Sequence, residues 1–273
     1  MVRSLWTAAT GMISQQTNVD TIANNLANVN TIGYKSEVAE FKSLLYQELQ
    51  TRTTTANGEN KPVGAQAGLG VRNSAITSIF KQGSMLASES STAFAIQGEG
   101  MFAVRGEDGQ TYYTRNGNFL FTTAANNSMM LATTDGLPVL NAQGNPIILP
   151  NNYVATRIGI DSNGQLTYPD AANNPQPIAG MAIGLYQFAN PSGLEKVENT
   201  LYSATAASGA AINEATNNNV ERSTVLQGYL EGSSVKVADE MVNLIVAQRA
   251  YEMNSKAITT TDEMLQQANQ LKR

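Results

Sequence analysis

The sequence contains neither cysteine nor histidine among its 273 residues. Without cysteine the chain forms no disulfide and has no thiol chemistry. Without histidine it lacks the side chain that most often serves as a general base and as a metal ligand. We therefore expect no metal site and no cofactor, and any catalysis would depend on other side chains.

Charge is also scarce. Charged residues make up 14% of the chain, against about 25% in an average soluble protein. A polar surface with so few charges favours contact with other protein. The net charge of −5 gives no reason to expect nucleic acid or an anionic membrane as partner. No apolar run approaches the roughly 18 residues of a membrane span, so we expect no direct membrane insertion. Polar residues come too early at the N-terminus for a cleaved signal peptide.

Glycine and proline are absent from Ser233 to Arg273, and the pattern predicts a helix about 55 Å long from Val235 to Leu271. Two apolar rows follow it. One row steps alternately by four and three residues: Val246, Ala250, Met253, Ala257, Thr260, Met264, Gln267 and Leu271. The other recurs every seven residues: Leu244, Tyr251, Ile258 and Leu265. Two rows exceed the needs of one partner helix. The surplus row packs either on neighbouring copies or on the chain's own β domain.

The first 32 residues predict a second helix with a heptad seam and with Gly33 as its stop signal. The seam consists of Leu5, Ala9, Met12, Gln16, Val19, Ala23 and Leu26. The same segment is rich in amides, including Asn24, Asn25 and Asn28, although asparagine is a mediocre helix former. Uncharged hydrogen-bonding groups suit faces that neighbouring subunits cover. An ordinary amide-rich surface helix is the alternative.

The middle of the chain predicts strands. Residues 51–70 are polar and aperiodic, and they predict a loop or an extended hairpin. Downstream, short apolar runs are separated by Asp108-Gly109, Asn116-Gly117 and Asn163-Gly164, which are typical of hairpin turns.

These patterns predict an α+β fold in which long N- and C-terminal helices form a coiled-coil-like pair and a mainly antiparallel β domain is inserted between them. We expect three parts. Residues 1–32 and 233–273 form the helical part, residues 33–92 and 200–232 an extended connecting region, and residues 93–199 the β-rich domain.

Motifs that carry chemistry are not evident. The sequence has no G-x-S-x-G elbow and no P-loop, and Gly98-Glu99-Gly100 lacks the third glycine of a dinucleotide site. The acid pairs Asp239-Glu240 and Asp262-Glu263 are adjacent on the predicted helix, so their carboxylates diverge by about 100°. We expect no catalytic residue.

Four segments carry a family resemblance: NVDTIANNLANVNTIGYKS at 18–36, FAIQGEGMFAV at 94–104, YTRNGNF at 113–119, and the region 228–271. They resemble the motifs of the flagellar axial proteins, the rod and hook subunits of bacteria. The length and the segments LLYQEL at 44–49 and GAQAGLGV at 64–71 favour a subunit of the distal rod. A proximal rod or hook paralogue is the alternative, and a wall-polymer hydrolase is a more distant one.

The resemblance implies a structural protein, not an enzyme, that polymerises helically with copies of itself into a hollow, rigid shaft. The shaft transmits torque across the periplasm to the hook. Implied partners are other rod proteins, the hook protein, the surrounding basal-body rings and the flagellar export apparatus, which exports the subunit without a cleaved signal. The terminal helices would line the channel, and residues 51–70 would contact a neighbouring subunit. The residues predicted to serve assembly are Leu5, Met12, Val19, Asn24, Asn25, Leu26, Asn28, Leu244, Tyr251, Met253, Ile258, Met264 and Leu265.

Overall fold

A computed structural model of the chain describes residues 2–50, 65–124, 127–150, 152–170, 173–217 and 219–271. The contacts divide the chain into two compact units. Unit 1 comprises residues 1–27, 37–78 and 236–273, and unit 2 comprises residues 28–36 and 79–235. Unit 1 therefore consists of three separate stretches of the chain, which its own internal packing brings together.

Two long helices belong to unit 1. Helix α1 spans Val2–Ala27 and helix α2 spans Val237–Gln270. In α2 the first turn carries Asp239 and Glu240, whose negative charges are favourable at the helix N-terminus. Helix α1 ends six residues before Gly33, because the backbone turns where Thr31 N–H donates to Asn28 O at 3.2 Å. Neither described helix is both long and apolar enough to span a membrane.

The helices contact each other in antiparallel order, but the prediction that they form a coiled-coil-like pair is wrong. A coiled coil inserts large apolar side chains into holes on its partner. Here the buried side chains of α2 among its described residues are small, Ala247 and Thr261. Gly11 of α1 lies so close to α2 that an added Cβ would be 2.8 Å from Nδ2 of Asn254. Small and polar residues such as Gly11 and Asn254 therefore lie where the helices approach most closely, and much of the apolar surface is left outside the contact.

Four strands lie among the described residues of unit 1. Strand β1 (Glu37–Ser43) pairs with β4 (Val71–Ser78) in antiparallel register, with an irregularity between Glu40 and Phe41. Beyond them, β2 (Tyr46–Gln50) pairs with β3 (Ala65–Gly68). Most of the predicted loop 51–70, residues 51–64, lies outside the described residues. Within its described remainder, residues 65–68 form β3.

Unit 2 is built from short antiparallel strands: β5 (Met85–Ala87), β6 (Phe94–Gln97), β7 (Met101–Arg105), β8 (Thr111–Thr114), β9 (Phe119–Thr123), β10 (Met129–Thr133), β11 (Ile148–Leu149), β12 (Gly159–Ile160), β13 (Gln165–Pro169), β14 (Pro175–Ala182), β15 (Leu185–Gln187), β16 (Glu195–Lys196), β17 (Leu201–Ser203), β18 (Ile212–Asn213), β19 (Thr224–Gln227) and β20 (Tyr229–Glu231). The largest sheet has the order β16-β17-β8-β7-β15-β18. Smaller sheets are β11-β10-β9, β12-β13-β14, β19-β6 and β20-β5.

Two of the three predicted hairpin turns are confirmed. Asp108-Gly109 connects the paired strands β7 and β8, and Asn163-Gly164 connects the paired strands β12 and β13. The hairpin predicted at Asn116-Gly117 is wrong, because β8 and β9 belong to different sheets. A Cβ on Gly117 would lie 1.7 Å from the carbonyl oxygen of Phe94. Glycine is therefore needed there for a close approach of two backbones.

One apolar core holds the sheets of unit 2 together. Phe94, Phe102 and Phe119 are fully buried at its centre, with the rings of Phe102 and Phe119 edge to face at 5.1 Å. Such pairs add about 0.5–1.5 kcal/mol to area burial. A smaller cluster on the opposite face of the main sheet includes Tyr113, Phe188 and Tyr202. Unit 2 thus has the buried core expected of a stable domain, in contrast to the exposed apolar rows of unit 1.

Candidate assembly surface

Helix α2 presents a row of large apolar side chains to solvent. Met253 is 67% exposed, and Val246, Met264 and Leu271 of the same predicted row are also exposed. We call these four residues the outer row. Exposed apolar area of this extent marks a contact surface more often than an accident of composition.

A second exposed apolar cluster occupies the first three turns of α2 and was missed by the sequence analysis. Its members are Val237, Met241, Val242 and Ile245. Val237, Met241 and Ile245 recur every four residues, with Val242 three residues before Ile245, and this spacing was the signal that could have revealed them, since such residues share one face of a helix.

The other predicted row of α2 is mostly half-buried. Leu244, Ile258 and Leu265 are half-buried, while Tyr251 stays exposed. On α1 the predicted seam behaves in the same way, since Leu5, Met12, Val19 and Leu26 are all half-buried. These residues therefore contribute part of their surface to packing inside unit 1 and retain part outside it.

The three amides predicted to serve assembly have different environments, and Asn28 lies one residue beyond the end of α1. Asn25 is buried: its Nδ2 donates to Glu37 O at 2.8 Å and to Glu240 Oε1 at 3.0 Å, and its Oδ1 accepts from Glu37 N–H at 2.8 Å. The exposed Asn24 donates to the Glu37 carboxylate at 3.2 Å. Asn28 is half-buried and accepts from the Thr31 hydroxyl at 3.0 Å. Asn25 thus joins α1, α2 and β1 within its own chain.

Helix α1 has its own exposed apolar residues. Trp6 and Ile13 are 64% and 65% exposed and lie two turns apart on one side of the helix. Trp6 borders a cavity of about 260 Å³ that Gln47 and Leu69 also line. The strands of unit 1 and the link between β1 and β2 add further exposed apolar side chains, namely Val38, Phe41, Leu45, Tyr46, Leu49 and Ile76. Unit 1 therefore exposes apolar surface on both its helices and its strands.

Unit 2 contains a buried ion cluster that the sequence did not reveal. Nζ of Lys35 lies 2.6 Å from Oε1 of Glu231, and Nη1 of Arg115 lies 3.2 Å from Oε2 of the same carboxylate. All three side chains are at most 4% exposed. Lys35, Arg115 and Glu231 each lie in one of the segments that carry the family resemblance. No periodicity of the sequence indicates that Lys35 would pair with Glu231, which lies 196 positions away.

Burial lowers the pKa of Lys35, and the nearby Arg115 guanidinium acts in the same direction, although Glu231 opposes both. Between this lowered pKa and 10.5 the unfolded chain binds a proton that the folded chain does not. The contribution of Lys35 to the free energy of unfolding should therefore rise with pH across that window.

We expect the wild type to gain stability relative to Lys35→Met as the pH approaches 10.5. Urea unfolding of both proteins at a series of pH values measures this difference. Burial raises the pKa values of Tyr113 and Tyr186, which lowers the free energy of unfolding as the pH rises. Both proteins contain these tyrosines, so the comparison cancels their effect. A difference that is flat or falls with pH would contradict the sign.

The cavities of the described residues offer few side chains that could take part in catalysis or hold a metal ion. Within the described part of the chain, no three acidic side chains are grouped so as to hold a metal ion. A cavity of about 620 Å³ in unit 2 is lined in part by Tyr153 and Tyr168. The Arg157 guanidinium lies over the Tyr168 ring, 5.6 Å from its centre. Asp170 is the one carboxylic acid among its described lining residues. The apolar surface of unit 1 is therefore the better-developed candidate site.

Three family models match the chain. The model described as flagella basal body rod protein matches residues 5–35, which include most of α1. The model of the flagellar hook protein FlgE/F/G D1 domain matches residues 95–168 of unit 2. The model of the flagellar basal body rod FlgEFG protein C-terminal region matches residues 226–271, which include α2 and Glu231.

Curated relatives match over their whole length. The flagellar basal-body rod protein FlgG of Borreliella burgdorferi is 42% identical over 275 residues, covering 100% of both chains. FlgG of Caulobacter vibrioides is 40% identical, covering 99% of this chain and 100% of its own. The flagellar hook-basal body complex protein FlhP of Bacillus subtilis is 32% identical over 97% of each chain. The chain belongs to the family of flagellar basal-body rod proteins that includes FlgG.

Proposed function

We propose that this protein is a structural subunit of the distal rod of the bacterial flagellum and acts in no catalytic step. Copies polymerise helically into a hollow, rigid shaft that transmits torque from the motor to the hook. The full-length similarity to FlgG proteins supports the assignment to the rod. The observation that carries the mode of assembly is the exposed apolar surface of unit 1, above all the outer row of α2.

The terminal helices supply the contacts between copies in this proposal. Burying one large apolar side chain contributes about 1.5–3 kcal/mol, so the outer row and the cluster at the start of α2 together offset much of the entropy lost on association. The half-buried residues of α1 and α2 complete these contacts with the surface that unit 1 leaves outside. The segment 51–70 follows directly on residues 45–50, which expose Leu45, Tyr46 and Leu49, and we assign it to an intersubunit contact as well.

The remaining partners follow from the proposed place in the flagellum. The shaft joins the proximal rod proteins at one end and the hook protein at the other, and it passes through the basal-body rings in the periplasm. The flagellar export apparatus delivers the subunit without a cleaved signal. A chain with no cysteine crosses an oxidising compartment without mispaired disulfides.

Fluorescence of Trp6 tests the assembly surface directly, because Trp6 is the only tryptophan of the chain. It is 64% exposed in the subunit, so its emission should shift to shorter wavelength when a neighbouring copy covers α1. The measurement follows emission during polymerisation, with electron microscopy of the product. Filaments whose tryptophan emission equals that of the monomer would exclude this face from the contact.

Complementation tests the position in the rod. Expression in a flagellated bacterium that lacks its distal rod subunit should restore motility and hook assembly. Expression in strains that lack a proximal rod subunit or the hook protein should not. Rescue of either of those strains, with none in the distal rod mutant, would move the assignment to that paralogue.

A further inference from the structure

Three segments of unit 2 meet where the chain continues into unit 1. Residues 33–36 lead into β1, residues 79–84 follow β4, and residues 231–235 lead into α2. Backbone hydrogen bonds connect them. Gly33 N–H donates to Glu231 O at 2.8 Å, Ile79 N–H to Ser36 O at 2.8 Å, and Gly232 N–H to Ser84 O at 2.8 Å. All of these bonds lie within unit 2, so the meeting point does not depend on packing inside unit 1.

The side chain of Glu231 lies at the centre of this meeting point and is fully buried. Its Oε1 accepts from Lys35 Nζ at 2.6 Å and from Gly83 N–H at 2.9 Å, and its Oε2 accepts from Arg115 Nη1 at 3.2 Å. One carboxylate thus contacts the other two segments and Arg115, which directly follows β8 of the main sheet. Lys35 adds a further bond between segments, because its Nζ also donates to Lys81 O at 2.7 Å.

The charges make this carboxylate hard to replace. Two buried cations share it, and removing it would leave both without a counterion in a site that excludes water. Arg115 has a second acceptor, Gly98 O at 2.7 Å from Nη2, but its Nε has none among the described residues. The penalty for losing Glu231 should therefore fall on the segments 33–36 and 79–84 and on its own segment 231–235.

We propose that Glu231 is the positioning residue that holds the three connecting segments of unit 2 in one place. It makes their arrangement a property of unit 2 alone, present before any copy meets another. The inference goes beyond the proposed function, because it holds whether or not the protein polymerises.

A double-mutant cycle on the full-length protein tests this role, with hydrogen exchange as the readout. Glu231→Gln keeps the shape of the side chain but leaves both cations unpaired. Exchange at Gly33, Gly83 and Gly232 should rise by about 100-fold or more, and exchange at Phe102 and Val104 in the core should rise much less. Adding Lys35→Met removes one unpaired cation and should recover at least about 10-fold of the lost protection.

The recovery separates a charge-dependent role from general damage. If Lys35→Met costs the same in the wild type and in the Glu231→Gln background, the cations do not act through Glu231 and the inference fails. It also fails if Glu231→Gln accelerates exchange uniformly through unit 2. Should Glu231→Gln not fold, Glu231→Asp moves the carboxylate away from its partners, and exchange should then rise much more at Gly33, Gly83 and Gly232 than at Phe102 and Val104. A uniform rise through unit 2 would overturn the inference.

Discussion

Replacement of Met253 by aspartate is expected to prevent polymerisation while leaving the isolated subunit folded. Met253 is 67% exposed in the subunit, so the substitution removes little packing there. In the assembled rod it would lose about 1.5–3 kcal/mol of apolar burial and would bury an unpaired charge at further cost. A total of about 4 kcal/mol raises the critical concentration for assembly roughly 1,000-fold.

Sedimentation and electron microscopy measure this critical concentration, and circular dichroism confirms that the subunit keeps its helices and strands. Met253→Leu is the matched control, because it keeps the apolar area and should assemble as the wild type does. Ile258 is less suitable for such a test, since it is half-buried in unit 1 and aspartate there would also disturb the subunit. Normal rods built from the Met253→Asp protein would remove the outer row from the assembly surface.

Substitution of Gly33 by alanine is expected to destabilise unit 2 by about 3 kcal/mol or more. Gly33 has a φ of +71°, and an added Cβ would lie 2.7 Å from Asn116 N and 2.8 Å from Arg115 C. Both are backbone atoms and cannot rotate away as the end of a side chain can. The substitution therefore adds a steric conflict to the ordinary cost of a left-handed backbone.

Gly136→Ala is the control that separates these two costs. Gly136 has a similar φ of +86°, but no heavy atom lies within 4 Å of the added Cβ. The free energy of unfolding of this variant should fall only by the conformational cost of about 1 kcal/mol. Hydrogen exchange of β6 and β7 reports the free energy of unfolding of unit 2 in both variants. Equal losses of stability in the two variants would show that the close approach of Gly33 to residues 115 and 116 does not contribute to the cost of the substitution.

Local patterns predicted the elements whose causes are local. The run without glycine or proline after Ser233 contains a helix of 34 residues, because helix formation depends on neighbours within a few positions. Asp108-Gly109 forms a hairpin turn because the two residues and the strands that they join are adjacent in the chain. Asn116-Gly117 has the same local signal, but Gly117 is required by contact with Phe94 instead.

The amino-acid sequence by itself determined the two terminal helices, most of the turns and the family. The tertiary structure alone decided which helical rows are covered. It replaced the expected coiled coil by a close contact of Gly11 with Asn254, and it left Met253 exposed. It also brought Lys35, Arg115 and Glu231 together in one buried cluster. Periodicity shows which residues share a face but not what packs on that face, since the partner lies far away in the chain.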